Sequence, residues 1–121
     1  MWDVATTNDF DRWFAGLTDG ERIELDAVVA LLKSFGPRLG RPHADTLKES
    51  RHSNMKELRA RTATSVLRVA FAFDPNRAAI LLVGGDKSGV NQRRFYRQLI
   101  NRADALFDGH LAAIARRRNK E

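Results

Sequence analysis

The sequence predicts an α+β fold: a small, twisted, mostly antiparallel sheet with an N-terminal helical hairpin and a C-terminal helix. Apolar residues recur at helical spacing over residues 10–35 and again over residues 91–115. Between these regions, residues 55–87 contain three short extended segments separated by turns. With 121 residues, of which 43% are hydrophobic, the chain can bury one core, so we expect a single domain over residues 1–121.

The helical hairpin is predicted from its caps and its apolar stripes. A short strand at residues 2–5 precedes Thr7 and Asn8, either of which is a suitable N-cap for the first helix. The second helix begins at the capping box TDGE of residues 18–21 and ends at the Gly-Pro pair of residues 36–37. The two stripes consist of Phe10, Trp13, Phe14 and Leu17, and of Leu25, Val28, Val29, Leu32 and Phe35.

Residues 37–54 have no periodicity and are predicted to form a loop across the surface. This loop is dense in basic and imidazole side chains, namely Arg38, Arg41, His43, Lys48, Arg51 and His52. Such a loop could close over an anionic ligand beside the sheet, and a plain solvated crossing is the alternative interpretation.

The first two predicted strands place a group of charges on one face of the sheet. Because side chains alternate along a strand, Lys56 and Leu58 share one face, while the large apolar residues of the second strand also share a face. The charged side chains on the remaining faces are Glu57, Arg59, Arg61 and Arg68. A sheet face that carries arginines suits phosphate binding, and an ordinary solvated face is the alternative.

The third strand is predicted at residues 78–83, an apolar run typical of a strand that is covered on both faces. Residues 74–77, DPNR, suit a tight turn before it, and Gly84 and Gly85 are expected to end it. The C-terminal helix is predicted from residue 91 to about residue 115, with a break or kink at residues 108–109 and a frayed basic tail.

The net charge of +6 is unevenly distributed along the chain. Residues 1–26 contain seven acidic and two basic residues, whereas residues 27–86 contain ten basic and five acidic ones. Residues 87–121 contain nine basic and three acidic residues. The positive excess therefore lies on the predicted sheet and the C-terminal helix, which indicates a polyanionic partner, and nucleic acid above all.

Several classes of site are disfavoured. The chain has no cysteine, and its three histidines lack metal-ligand spacing, so we expect no metal and no other cofactor. No GxSxG motif, paired carboxylates or glycine-rich nucleotide fingerprint is present. The start, MWDVATTNDF, resembles no signal peptide, and no apolar run is long enough to span a membrane. We therefore expect a cytoplasmic protein without a membrane partner.

Positive charge on a sheet face could support RNA cleavage without a metal. The 2′-hydroxyl attacks the adjacent phosphorus, and fixed cations stabilise the charge that collects on the phosphate oxygens. Glu57, the loop histidines His43 and His52, and Tyr96 are the candidate proton carriers. The same cations would also bind an RNA backbone without cleaving it, so binding and catalysis both remain open.

The element order and four segments resemble the RelE/ParE superfamily of bacterial toxin–antitoxin systems, and its HigB-like, phage Gp49-related branch in particular. The segments are RPHADTLKESRHSNMKELRAR, LRVAFAFDP, LLVGGDKSG and RRFYRQLINRAD. The resemblance implies a toxin that cleaves messenger RNA, usually on the ribosome. It also implies a cognate HigA-like antitoxin with a helix-turn-helix domain.

The resemblance also implies roles for individual residues. Arg59 of KELR, Arg68 of LRV and Lys87 of GGDK match basic positions of the family's active site, and Tyr96 lies near a C-terminal aromatic or histidine of several relatives. Some relatives carry a lysine pair where this chain has Met55 and Glu57, and Lys56 faces the other way. Glu57 and His52 are therefore the candidates for the general base.

Six further basic residues are candidates for binding the RNA backbone: Lys56, Arg61, Arg41, Arg51, Arg93 and Arg94. Two other functions remain as alternatives. One is a ParE-like inhibitor that acts on DNA gyrase by protein contact, and the other is a nucleic-acid-binding domain without catalysis.

Overall fold

The computed structural model describes residues 1–120. Its elements are β1 (Asp3–Thr6), α1 (Asn8–Ala15), α2 (Asp19–Phe35), a 3₁₀ turn (Gly36–Arg38), β2 (Ala44–Thr46), β3 (Lys56–Arg61), β4 (Val66–Phe73), β5 (Ala78–Asp86) and α3 (Gln92–Lys120). Among these residues, no helix is both long and apolar enough to cross a membrane.

The five strands form one sheet in the order β1-β5-β4-β3-β2. The pairs β2–β3, β3–β4 and β4–β5 are antiparallel, whereas β1 pairs parallel to β5. The predicted α+β fold with a mostly antiparallel sheet is confirmed. Strand β4 is paired on both edges for most of its length, whereas β3 pairs with β4 throughout and with β2 only over residues 56–58.

The helical hairpin covers one face of the sheet. Thr7 caps α1, and Thr18 and Glu21 form the predicted capping box of α2. Leu25 and Leu32 of α2 are fully buried against the apolar side chains of β3 and β4, which are Leu58, Ala60, Leu67, Val69 and Phe71. The acidic N-terminal helices therefore support the sheet from the face that does not carry the arginines.

Helix α3 crosses the opposite face and builds a second core. Its Leu99, Ala103 and Phe107 pack on the small or branched side chains of β4 and β5, which are Ala70, Ala72, Ile80 and Leu82. The prediction that the third strand is covered on both faces is confirmed. Alanines at these β4 positions let the helix lie close to the sheet, while Arg68, toward the start of the same strand, remains beside the helix N-terminus.

Three local predictions are wrong for physical reasons. The loop contains a short strand, β2, which pairs with β3. Strand β5 continues through Gly84 and Gly85, because both still pair with β4. Glycine is required there, since the rings of Trp13 and Phe95 lie 2.3 Å and 2.9 Å from where Cβ atoms would be. Helix α3 continues through residues 108–109 to Lys120, since packing on both sides of Gly109 outweighs its weak helix propensity.

Candidate active site

Glu57 is the centre of a charged cluster on the face of the sheet that α3 crosses. The register pairs Glu57 with Ala70 and Arg59 with Arg68, so the predicted set of charges does share one face. Lys56 pairs with Phe71 on the other face, as predicted. Glu57 is only 3% exposed, which requires that its charge be compensated by nearby donors.

Three side chains supply those donors. The Tyr96 hydroxyl donates to Glu57 Oε1 over 2.8 Å, and Arg68 Nε lies 3.4 Å from the same oxygen. Arg59 Nη2 donates to Glu57 Oε2 over 3.1 Å. Arg68 Nε also donates to the Tyr96 hydroxyl oxygen over 3.3 Å. Both carboxylate oxygens are therefore occupied, and Glu57 fixes the positions of two guanidinium groups and one phenol.

Lys87 completes the cluster from the end of β5. Its backbone N–H donates to the Val66 carbonyl, which extends the pairing beyond the strand, and its Nζ lies 5.4 Å from the centroid of the Tyr96 ring. Burial, and then the positive charge of Arg68, lower the pKa of Lys87 from its ordinary value of 10.5. Arg59, Arg68 and Lys87 thus place three cations around one carboxylate, which leaves an excess positive charge for an anion.

Tyr96 is held as a neutral hydrogen-bond donor. Burial and its hydrogen bond to Glu57 raise the pKa of the hydroxyl above its ordinary value of 10.0. The phenol therefore keeps its proton at neutral pH. In this position it can orient groups and donate hydrogen bonds, but it cannot serve as a base.

A cleft of about 440 Å³ opens beside the cluster, where β3 extends past the end of β2. Its walls carry His43, Arg59, Arg61 and Arg68, together with Pro42 and with Glu24 and Val28 of α2. The Arg59 backbone N–H donates to the His43 carbonyl over 2.8 Å, so the histidine is fixed next to this arginine. Three guanidinium groups and one imidazole therefore face the same space.

One N–H of the Arg59 side chain donates no hydrogen bond. Within residues 1–120, Arg59 Nε is the one buried side-chain nitrogen or oxygen without a hydrogen-bond partner. An unpaired buried donor costs about 1–3 kcal/mol. Since Nε is itself inaccessible, an anion in the cleft would contact the outer part of the Arg59 side chain, which is 30% exposed.

Arg41 lies at the margin of this cluster and is paired within the chain. Its Nε and Nη2 both donate to Asp45 Oδ2, over 2.9 Å and 2.7 Å, and Arg59 Nη2 contacts the same oxygen at 3.3 Å. The hydrogen bond from Arg41 is the largest of the effects that lower the pKa of Asp45. Sequence reasoning misses Asp45, because no pattern in residues 37–54 indicates that β2 brings it to Arg59.

Arg51 and His52 lie elsewhere. Arg51 Nη2 and His52 Nε2 both contact Asp108 at 2.7 Å, and the His52 ring packs on Phe107. Asp108 is twelve residues beyond Tyr96 on α3, which is about 18 Å along the helix axis. Arg51 and His52 therefore bind the helix and do not close over the cluster. The structure brings His43, not His52, to the arginines.

Arg93 and Arg94 face two different surfaces of α3. Arg93 lies beside Tyr96 in a groove on one side of the helix, whereas Arg94 lines a cavity on the other side with Phe95 and Arg102. Within the part of the chain that the structure describes, no group of three His, Cys, Asp or Glu side chains could hold a metal ion.

Comparisons with known proteins support the family that the sequence resembles and the fold that the structure shows. The family model described as phage derived protein Gp49-like (DUF891) matches residues 12–108. The chain is 44% identical to HigB3 of Mycobacterium tuberculosis over 103 residues, which are 85% of this chain and 88% of HigB3. It is 45% identical to HigB2 of the same organism over 114 residues, 90% of this chain but 56% of HigB2. The chain thus spans little more than half of HigB2, and both relatives are named as putative toxins.

The fold is similar to that of solved RelE proteins. A mutant E. coli toxin RelE in the free state aligns with a TM-score of 0.56 at 9% identity, covering 82% of this chain and 93% of RelE. RelE from Pyrococcus horikoshii, solved in complex with RelB, aligns with a TM-score of 0.55 at 12% identity, covering 74% and 98%. At these identities the likeness concerns the fold alone. The family match and the HigB relatives confirm the predicted kinship: the chain belongs to the phage-derived Gp49-like family of HigB-like toxins, and its fold is that of RelE.

Proposed function

We propose that this toxin is a metal-independent endoribonuclease that cleaves messenger RNA on the ribosome, in the cytoplasm. The observation that carries the proposal is the cluster itself: Arg59, Arg68 and Lys87 lie around one buried carboxylate, and Arg59 and Arg68 also line an open cleft. Even when Asp45 and its partner Arg41 are counted with Glu57, four cations face two carboxylates. This excess favours a ligand with concentrated negative charge, and phosphate is a group that guanidinium binds well.

The chemistry follows from the charge that the cluster can stabilise. The 2′-oxygen forms a bond to phosphorus while the bond to the 5′-oxygen breaks, which leaves a 2′,3′-cyclic phosphate. Negative charge collects on the non-bridging oxygens in the transition state, where Arg68 and Lys87 would stabilise it more strongly than in the bound substrate. One proton must leave the 2′-hydroxyl, and one must reach the departing 5′-oxygen.

His43 is our choice for removing the 2′-hydroxyl proton. It lines the cleft with Arg59 and Arg68, and imidazole is the usual side chain for proton transfer at neutral pH. Glu57 is less suited, because donors already occupy both of its oxygens and its side chain is 4% exposed. We assign Glu57 as the positioning residue of the cluster, and Tyr96 as a donor that helps to hold it.

Expression in growing cells tests the proposal. Induction of the wild-type protein should arrest growth, and primer extension should find new 5′ ends within messages. The double variant Arg68→Ala/Lys87→Ala should remove both effects, while Arg12→Ala, an exposed arginine of α1 on the far side of the sheet, should retain them. Thermal melts of the purified variants separate loss of the site from loss of the fold.

Two outcomes would contradict the proposal. Growth arrest with intact messages would indicate a ParE-like protein that acts on gyrase by contact, and supercoiling assays would then show the inhibition. RNA binding without new 5′ ends, in cells and with purified ribosomes, would indicate a nucleic-acid-binding domain that has no catalytic activity.

We also propose a HigA-like antitoxin with a helix-turn-helix domain as the protein partner. The Pyrococcus horikoshii RelE whose fold this chain shares was solved as a complex with RelB. A helix-turn-helix gene beside this one should suppress the growth arrest on co-expression, and its product should co-purify with the toxin. Failure of the neighbouring gene to rescue growth would refute this assignment without affecting the cleavage proposal.

A further inference from the structure

A second groove, of about 680 Å³, runs along the outer side of α3 beside the cluster. The helix contributes one wall, made of Gln92, Arg93, Tyr96, Arg97, Ile100 and Asn101. These residues follow the i, i+4, i+8 spacing in two adjacent rows, so they form a single stripe about 14 Å long. Tyr96 belongs both to this stripe and to the hydrogen-bond network of Glu57, and it therefore connects the groove to the cationic cluster.

The opposite wall is formed by Glu49, in the segment that connects β2 and β3. Hydrogen bonds join this segment to α3, and they begin at Ser50, the residue after Glu49. The Ser50 hydroxyl and the Arg51 backbone N–H both donate to the buried carboxylate of Asp104, and the Arg51 and His52 side chains contact Asp108. The groove is therefore preformed, since its two walls are joined by hydrogen bonds that do not depend on a ligand.

The side chains of the stripe fit the parts of a nucleotide chain. Arg93 and Arg97 are exposed cations of the kind that contact phosphates. Gln92 and Asn101 present amides, whose paired donor and acceptor match the edges of bases. The partly exposed ring of Tyr96 provides the apolar surface against which a base can lie, and the buried Ile100 forms the floor beside it. A length of about 14 Å corresponds to roughly two nucleotides of an extended strand.

We propose that this groove binds the two nucleotides of single-stranded RNA that adjoin the reacting phosphate on one side, and that Gln92 and Asn101 select their bases. The proposal rests on the proposed function, because it assigns a substrate subsite to the same enzyme. The cluster around Glu57 holds the phosphate, and the chain of nucleotides leaves it past Tyr96 into the groove. Base preference thus originates on α3, whereas catalysis originates on the sheet.

A protein segment is a poorer match for the groove. Protein interfaces concentrate apolar side chains at their centre, but here Ile100 is the one buried aliphatic residue of the stripe, and four of the six helix residues are polar and exposed. The two arginines outnumber the single carboxylate of Glu49 and lie beside a cluster that already has excess positive charge, which favours a polyanion. Binding of a protein in the groove is an outcome that the experiment below distinguishes.

Fluorescence anisotropy with short single-stranded RNAs that differ at one base tests the groove without requiring cleavage. We expect the double variant Gln92→Ala/Asn101→Ala to lose about tenfold of the discrimination between bases while retaining affinity for the weakest RNA. Arg93→Ala/Arg97→Ala should weaken every RNA alike and reduce the salt slope by about one per arginine. The control Arg102→Ala lies on the other side of α3, where it is paired with Asp9, and should behave as wild type.

The outcomes separate this inference from the proposed function. If the wild type shows base preference that the groove variants lose but cuts no RNA, the groove is supported and the cleavage proposal fails. If the wild type cuts RNA while the groove variants keep its affinity, base preference and cleavage pattern, the inference is wrong and the cleavage proposal stands. Variants that lose binding of the antitoxin but none of RNA would also overturn it, since the groove would then be a protein interface.

Discussion

Tyr96 of α3 donates its hydroxyl hydrogen to Glu57 of β3 over 2.8 Å, although the two residues are 39 positions apart in the chain. This bond joins the first turns of the helix to the centre of the sheet. The same carboxylate forms ion pairs with Arg59 and Arg68. A single buried acid therefore fixes side chains from β3, β4 and α3. The positions of the cations are therefore set by the fold before any substrate arrives.

The role of Glu57 is testable by comparing two substitutions. Glu57→Gln keeps the shape of the side chain but removes the charge that holds two guanidinium groups, and we expect cleavage to fall about 100-fold, with a loss of RNA affinity, through their misplacement. His43→Ala should lower the cleavage rate and leave RNA affinity within about twofold of wild type, because it removes the proton acceptor and none of the cations. The opposite pattern, with RNA affinity unchanged and cleavage lost only in Glu57→Gln, would make Glu57 the base.

The lowered pKa of Lys87 predicts that RNA affinity falls at alkaline pH. Its pKa is lowered, first by burial and then by Arg68, so the ammonium loses its charge at a lower pH than the ordinary 10.5. Affinity that depends on this cation is therefore fully present at neutral pH and declines as pH rises toward 10.5. In Lys87→Arg the decline should move to higher pH, since guanidinium stays protonated. Anisotropy titrations with a short RNA check this, and identical profiles for the two proteins would contradict it.

The hydrogen bonds of Asp104 predict that this residue fixes the segment between β2 and β3 to α3. Its carboxylate is 5% exposed and accepts the backbone N–H of Arg51 over 3.1 Å. Asp104→Ala should lower the free energy of unfolding by about 1–3 kcal/mol, and it should speed hydrogen exchange at the Arg51 amide. Asp108→Ala is the matched control, because Asp108 contacts only side chains of this loop and is half exposed. Equal exchange at Arg51 in both variants would show that the loop is held by something else.

Two glycines give opposite predictions for replacement by alanine. A Cβ at position 84 would meet the Trp13 ring at 2.3 Å, so Gly84→Ala should destabilise the fold by about 1–3 kcal/mol. Gly109 lies inside α3, where an added methyl group would meet nothing within 4 Å, so Gly109→Ala should stabilise the protein by about 0.5–1 kcal/mol. Denaturant titrations measure both changes, and the same sign for both variants would contradict the packing around these two glycines.

The elements with strong local signals could be predicted from the sequence. The capping box at Thr18, the alternation around Arg68 and the apolar run of β5 each follow from side-chain patterns that a single segment displays by itself. Strand β2 could not be recognised, because three residues carry too short a pattern. The passage of β5 through Gly84 depends on pairing with β4, and the ring that lies over Gly84 is that of Trp13, some seventy positions earlier; no local rule reports such contacts.

The sequence predicts which cationic residues form the candidate site, but it does not predict how they are arranged. Strand alternation groups Arg59 with Glu57, and the register then adds Arg68. The choice between His43 and His52 depends on where the loop crosses the sheet, which the sequence leaves open. The hydrogen bond of His52 with Asp108 and the ion pair of Arg59 with Asp45 join distant segments, so they became visible only with the fold.

The most direct test of the arginine cluster as the active site is the rate at which the purified protein cleaves a defined message on ribosomes. Removing one group that stabilises transition-state charge costs about 10²–10³ in rate, so Arg68→Ala should lose that factor. Arg12→Ala, equal in charge change and distant from the cluster, should cleave within about twofold of wild type, since an exposed ion pair contributes little. Full cleavage by a folded Arg68→Ala protein would contradict the assignment of the active site to the arginine cluster around Glu57.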